Sequence, residues 1–281
     1  LVIGTWVFLG YCVLEIGYSN SMIFKNLSLK FWRVWQRNFD VYLATWKVNF
    51  IPPLLEPVLY LFAFGIGLGG LVQKVSYMHA DVSYMAFIAP GLVAVAVMNH
   101  GFFETTYASF VRMYFQKTFD AILSTPLTIE DIIFGELVWG ATKAFMAAAI
   151  MFVVLLGFGL IVLPMGLWVL AAALLAGMVF SGLGMCFTGL VKNIEMFNFP
   201  VFLFITPMFL LSGVFFPLET LPGWAQAVAR FFPLTYLVSV LRGLALGRPG
   251  AGMALDMLVL FVLGVVSCCI AIVLMKKRLL K

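Results

Sequence analysis

Six stretches of this chain are apolar for long enough to cross a lipid bilayer as helices, at roughly 51–72, 85–110, 132–157, 167–191, 196–217 and 253–275. A helix needs about 20 mostly apolar residues to span ~30 Å of hydrocarbon. Within lipid every backbone polar group must be satisfied by the spanning structure itself, which leaves helices or closed barrels. These runs are too long for barrel strands and lack their period-two alternation, so helices are predicted. Composition agrees: 64% of the 281 residues are hydrophobic and 10% charged, against roughly 25% charged in a soluble domain. The expected fold is an all-α polytopic membrane protein with six transmembrane helices.

Lysine and arginine placement orients the spans. Lys25, Lys30, Arg33, Arg37, Lys47, Arg112, Lys117, Lys192, Lys276, Lys277, Arg278 and Lys281 fall on one side, against Lys74, Arg230, Arg242 and Arg248 on the other. Lys143 lies within a span. The asymmetry puts both ends of the six-span core in the cytoplasm. Topology thereby accounts for the net charge of +5, and nucleic acid is not an expected partner.

The segment before the first span, 28–50, mixes Phe31, Trp32, Trp35 and Phe39 with Lys30, Arg33 and Arg37. This reads as an amphipathic helix lying in the headgroup layer, with membrane lipid as its partner. Residues 218–252, between spans five and six, are rich in proline and glycine yet still apolar at their centre. They are expected to form short re-entrant helices dipping into the outer leaflet. Residues 1–27 form an N-terminal extension of open status. Its apolar part, 1–18, reads as an extra span, an interfacial segment, or sequence upstream of a start at Met22.

Signatures of chemistry are missing. No G-x-x-x-x-G-K-[ST] occurs, so ATP is not expected to bind this chain through a P-loop. The glycines of 65–70 lack a preceding strand and a following helix start, and read as close helix packing or a bend at the membrane edge. Neither G-x-S-x-G nor H-E-x-x-H is present, the four cysteines form no C-x-x-C pair, and two histidines are too few for a histidine cluster. No catalytic residue, metal site or cofactor is assigned. Polar residues within spans are costly and point to function or to polar pairing. Glu56, Asn99, His100, Glu104, Glu136 and Lys143 are such residues. His100 and Glu104 share one helix face and either line a path, pair with each other, or pair with Lys143. Glu56, Asn99, His100, Glu104 and Lys143 form the candidate translocation path. The phenylalanines of 197–216 read mostly as packing, with a sugar-guiding ring as the alternative.

One polar island, 112–131, interrupts the apolar runs. It carries both charge signs and a helix-like rhythm, Phe115, Phe119 and Ile122, and it falls on the cytoplasmic side. Arg112, Gln116, Lys117, Asp120, Glu130 and Asp131 offer polar contacts, while Phe119, Ile122 and Leu123 offer an apolar plug. Pro126 is expected to stop this helix, and Thr128 to cap the next with Asp131 three residues on. The bland alternative is a solvated loop.

These segments together resemble the type 2 ABC transporter permeases. The likeness is carried by 31–38, by Glu56-Pro-Val-Leu-Tyr60, Ala89-Pro-Gly91 and Phe102-Phe-Glu-Thr-Thr-Tyr-Ala-Ser-Phe110, by 116–127, and by Leu211-Ser-Gly-Val-Phe-Phe-Pro217. It covers 28–281 and is nearest to the nodulation-factor, lipo-oligosaccharide export branch. The resemblance implies an ABC-2 type six-span domain over 51–281 in a bacterial inner membrane, working as a homodimer. It further implies an ABC ATPase subunit, carrying ATP and Mg, docked on a coupling helix within 111–131. An amphipathic or carbohydrate substrate, lipo-oligosaccharide or polysaccharide, follows from it. A drug-efflux permease and an ion-coupled secondary transporter are the other readings.

Overall fold

The computed structural model describes residues 28–68, 74–77 and 80–280. The N-terminal extension over 1–27 lies outside them, as do 69–72 of the predicted first span. Helices α1 (Phe31–Ala44) and α2 (Trp46–Tyr60) come first. The predicted interfacial helix over 28–50 therefore stops at Ala44. Thr45 leaves helical geometry, and its hydroxyl donates back to the Val41 carbonyl at 3.0 Å. A π-helical stretch, Leu61–Leu68, continues α2. A short antiparallel hairpin follows, β1 (Lys74–Tyr77) with β2 (Ala80–Ser83), Val75 opposite Val82. The strand pair corrects the all-α expectation: pairing between the two segments satisfies backbone that no helix covers.

Helix α3 (Tyr84–Phe103) passes into two π-helical segments, Glu104–Ala108 and Val111–Phe115. After the short α4 (Thr118–Leu123) come α5 (Ile129–Gly157) and α6 (Trp168–Leu190). Next is a composite rod of α7 (Asn198–Pro200), a π segment over Val201–Ile205, and α8 (Thr206–Leu211). Helices α9 (Gly223–Ala229), α10 (Pro233–Ala245) and α11 (Met253–Leu279) complete the chain.

Five stretches are long and apolar enough to span a membrane: Tyr84–Phe115, Ile129–Gly157, Met165–Leu190, Ile194–Leu211 and Met253–Leu279. Together they make this a polytopic helical membrane protein. Helices α9 and α10 meet at 89°, and counting them as one broken span brings the number to six. Among the described residues the predicted span over 51–72 is not one of the five. It falls on α2 and its π-helical continuation, where Pro52, Pro53 and Pro57 withdraw amide donors from the helix.

Helix α6 is the hub and packs against α3, α5, α10 and α11. Its small residues let backbones approach, the usual basis of helix association in lipid. A side chain at Gly184 would meet the Phe102 carbonyl oxygen at 2.7 Å. One apolar cluster joins α3, α5, α6 and α10 through residues such as Leu92, Ala148, Ala176, Phe180 and Leu241. A second gathers at the α4 end of the bundle, around Val34, Phe110, Phe119, Ile133, Met185 and Ile272.

At the opposite end the chain turns sharply after α8, with Gly213 at φ 73°. The carbonyls released there are taken by a buried cation. Arg242 of α10 donates to the Gly213 and Val214 oxygens at 2.9 and 3.3 Å and to the Phe87 oxygen at 3.0 Å. Its guanidinium lies 3.7 Å from the Phe87 ring centre. Counted above as an outer-loop charge, Arg242 is instead an internal tie between α10, the turn and α3.

Docking of α1 on α5 decides the architecture of the α4 end. Val34 and Asn38, one turn apart, are buried, and Phe31 meets Phe134 edge-on at 4.9 Å. Trp35 Nε1 donates to Thr142 Oγ1 at 3.0 Å. The approach requires glycine at 135: a side chain there would fall 2.7 Å from Val34 Cβ and 2.9 Å from the Phe31 oxygen. Gly135→Val is therefore expected to destabilise the protein by ~1–3 kcal/mol through overpacking and to expose α1 to limited proteolysis. Wild-type thermal stability and protease resistance in detergent would show that α1 is not packed in this way.

Candidate functional site

The polar island folds into a short, tightly anchored corner. Lys117 adopts a left-handed backbone conformation, φ 54°, which turns the chain out of the π-helical end of α3. Helix α4 ends at Leu123, and hydroxyls of Ser124 and Thr125 donate to the Ala121 and Ile122 carbonyls before Pro126. Thr128 then caps α5: its hydroxyl accepts from the Asp131 amide, and the Asp131 carboxylate accepts from the Thr128 amide, both at 3.2 Å. Asp131 also accepts from the Ser28 amide at 2.8 Å, which fastens the start of α1.

This geometry divides the expected coupling residues. Gln116, Lys117, Asp120 and Pro126 are exposed, and Ile122 and Leu123 are half-buried. Phe119 is fully buried in the chain's own core, so it is no plug for a partner; its position on the inner face of α4 puts it against the second apolar cluster. Glu130 and Asp131 are likewise buried. Glu130 Oε1 lies 2.6 Å from Lys276 Nζ, an ionic contact without hydrogen-bond alignment. Arg278 donates to the Thr188 and Val191 carbonyls, which ties the basic end of α11 to the C-terminal end of α6.

Arg112 turns inward as well. Its Nη1 donates to Glu104 Oε1 at 2.8 Å, and its Nη2 and Nε donate to Glu136 Oε2 at 2.5 and 3.1 Å. Lys143 Nζ donates to Glu104 Oε2 and Trp139 Nε1 to Glu104 Oε1, each at 2.9 Å. Asn38 Nδ2 completes the shell on Glu136 Oε1 at 2.8 Å. Two cations thus balance two carboxylates, and all four carboxylate oxygens are bonded. The π-helical segments are satisfied in turn: Thr188 donates to the Thr105 oxygen at 2.7 Å, and Thr106 to the Phe102 oxygen at 2.8 Å.

Beside this cluster, between α1, the end of α3 and α5, lies a cavity of ≈ 770 Å³. Of the expected path residues, Asn99, His100, Glu104 and Lys143 line it, joined by Arg37, Arg112 and Gln116. Glu104 pairs with Lys143 rather than with His100. Glu56 is not among the lining residues, and its side chain lies outside the described part of α2. Of the interfacial residues, Trp32 and Arg33 are exposed, while Phe31, Trp35 and Arg37 are half-buried against the bundle. Burial lowers the Arg37 guanidinium below its usual value, the Glu136 charge opposes this, and Arg112 adds to it. Sequence reasoning missed Asn38, Tyr42 and Trp139. Asn38 follows the buried Val34 by four residues on the same face of α1, and that spacing was its only signal.

The cluster yields an expected outcome. Arg112→Met leaves two buried carboxylates short of one cation, and removing one partner of such a group costs ~3–5 kcal/mol. Thermal unfolding in detergent should shift down accordingly. Arg112→Lys should recover only part, because one ammonium does not reproduce the guanidinium fork. An unchanged midpoint for Arg112→Met would mean that the ion cluster carries no structural load.

Comparison with known proteins agrees with this architecture. Residues 29–246 match the family described as ABC-2 type transporter. Nodulation protein J of Rhizobium meliloti (strain 1021) is 39% identical over 254 residues, 88% of this chain and 93% of that protein. Nodulation protein J of Rhizobium leguminosarum bv. viciae is 37% identical over 255 residues, 88% of this chain and 94% of that protein. The inner membrane transport permease YadH of Escherichia coli (strain K12) is 25% identical over 74% of this chain and 80% of its own length. With the family matched across most of its length and relatives above 30% identity aligned almost end to end, this chain belongs to the ABC-2 type transporter family.

Proposed function

We propose that the chain is the membrane-spanning permease subunit of an ATP-driven exporter, with a separate ABC ATPase docking on the exposed face of α4. The observation that carries this reading is the α4 corner: a short helix with exposed Gln116, Lys117, Asp120 and Ala121 is held rigidly between the polar-pinned end of α3 and the capped start of α5. A solvated linker needs no buried Phe119 and no reciprocal cap. The family and the nodulation relatives support export of an amphipathic molecule with a sugar part, a lipo-oligosaccharide or polysaccharide. The basic cluster at the α4 end supports a cytoplasmic location for that end in a bacterial inner membrane. A homodimer and outer re-entrant helices at α9 and α10 belong to the same reading.

In the proposed cycle, ATP-driven closure of two ATPase subunits displaces α4. Because α4 is continuous with Arg112 through the π-helical segment, its motion reaches Glu104 and Glu136 and so the walls of the cavity. Both carboxylates are already neutralised by cations, which disfavours their use as ion carriers in a secondary transporter.

The double substitution Lys117→Glu with Asp120→Lys changes only exposed side chains, one just before α4 and one on it. It should abolish co-purification of the ATPase or uncouple ATP hydrolysis from export, while thermal stability stays at the wild-type level. Normal assembly and export in this variant would contradict the assignment.

A further inference from the structure

The lateral cavity holds more cation than its carboxylates neutralise. Arg37, Arg112, Lys143 and Glu104 line it, and Glu136 stands behind Arg112. Three cations against two carboxylates leave one positive charge, and the surplus has an address. Arg112 lies between both carboxylates and Lys143 is held by Glu104. Among the described residues no carboxylate oxygen lies within 4.0 Å of Arg37. Its side-chain partner is the neutral Asn38 Oδ1 at 3.0 Å, and the Asn38 amide is already committed to Glu136. Glu136 acts on Arg37 only at a distance, and a half-buried guanidinium with no carboxylate in direct contact is a ready partner for an anion; its planar fork matches phosphate and sulfate oxygens bidentately.

The rest of the cavity suits the surroundings of such a group. The side chains of Asn99, His100 and Gln116 line it without a hydrogen-bond partner among the described residues. Tyr42, Phe103, Tyr107 and Trp139 supply aromatic wall. The volume falls within the ~300–1,000 Å³ of small-molecule sites. One wall is α1, which on its other side exposes Trp32 and Leu43, as a helix lying among lipid head groups would.

We propose that this cavity binds the phosphate- or sulfate-ester head group of a lipid. Arg37 is the ion-pairing residue, and Asn99, His100 and Gln116 hydrogen-bond the flanking polar groups. The inference rests on the permease reading and deepens it, by giving the inner-leaflet end of the path an anionic head group as its ligand.

Titration calorimetry on the purified full chain in neutral detergent tests it. The probes are dihexanoylphosphatidylglycerol, phosphate-free dihexanoylglycerol and inorganic phosphate. The anionic lipid is expected to bind, and dihexanoylglycerol to bind roughly ten-fold more weakly or not at all. Arg37→Gln should weaken the anionic lipid by a similar factor, with Arg37→Lys between it and wild type. Arg33→Gln removes the same charge one turn earlier, at an exposed position outside the cavity lining, and should bind as wild type. Equal weakening by Arg33→Gln and Arg37→Gln would overturn the site in favour of diffuse surface attraction. Equal binding of the two lipids would overturn the anionic head group, and inorganic phosphate binding as tightly as the lipid would overturn the lipid source. The assay needs neither ATPase nor transport. Loss of head-group selectivity in a chain that still docks its ATPase sinks this inference alone, whereas intact selectivity in a chain that docks none sinks the permease reading.

Discussion

Arg112 sits between Glu104 and Glu136, and the arrangement of three helices depends on that bridge. In a low-dielectric interior an unpaired carboxylate is strongly unfavourable, so each of these groups requires the others in place. Glu104 comes from the end of α3 and Glu136 from α5, while Asn38 brings α1 into the same shell. Trp139 and Lys143 close it from the next two turns of α5. These polar bonds act together with the packing of Val34 and Phe31 on α5, since in lipid helix association rests on close packing and interhelical hydrogen bonds.

The same bridge gives the proposed coupling a physical route. Helix α4 is anchored inward by Phe119 and outward only by solvent-facing side chains, so a partner can grip it without unpacking it. The left-handed Lys117 and the capping box of Thr128 and Asp131 make the corner stiff. Behind it, the π-helical segments are the irregular part of α3, and such segments tend to mark functional positions. In the proposed route, force applied to α4 passes through the apolar cluster around Phe119 and along the chain to Arg112 and the ion cluster.

Much of this was legible in the sequence. Four of the six predicted spans coincide with observed ones because long apolar runs leave no other option in lipid, and the composite rod over 194–211 matches a fifth. The capped start of α5 followed from Thr128, Asp131 and the preceding Pro126. The first span was not legible: its prolines lie in a helix that apolarity alone does not describe. The inward turn of Arg112, Glu130 and Asp131 was hidden for a different reason. Linear position places them in a polar island, and only the pairing with Glu136 and Lys276 and the cap on Thr128 bury them. Phe119 belongs to the same class, since a helical rhythm of aromatics marks a packed face without saying whose core it enters. Asn38 was masked by the aromatics around it, although its spacing from Val34 places it on the docked face.

The central claim is that α4 is where an ATPase meets this chain. Its most direct test is site-specific photo-crosslinking in the intact membrane, with a photoreactive residue at Ala121 on the exposed face of α4 and, as a control, at Val153 near the far end of α5. The account predicts a covalent adduct with a P-loop ATPase from position 121 and none from 153. No adduct from 121, or equal adducts from both positions, would contradict it.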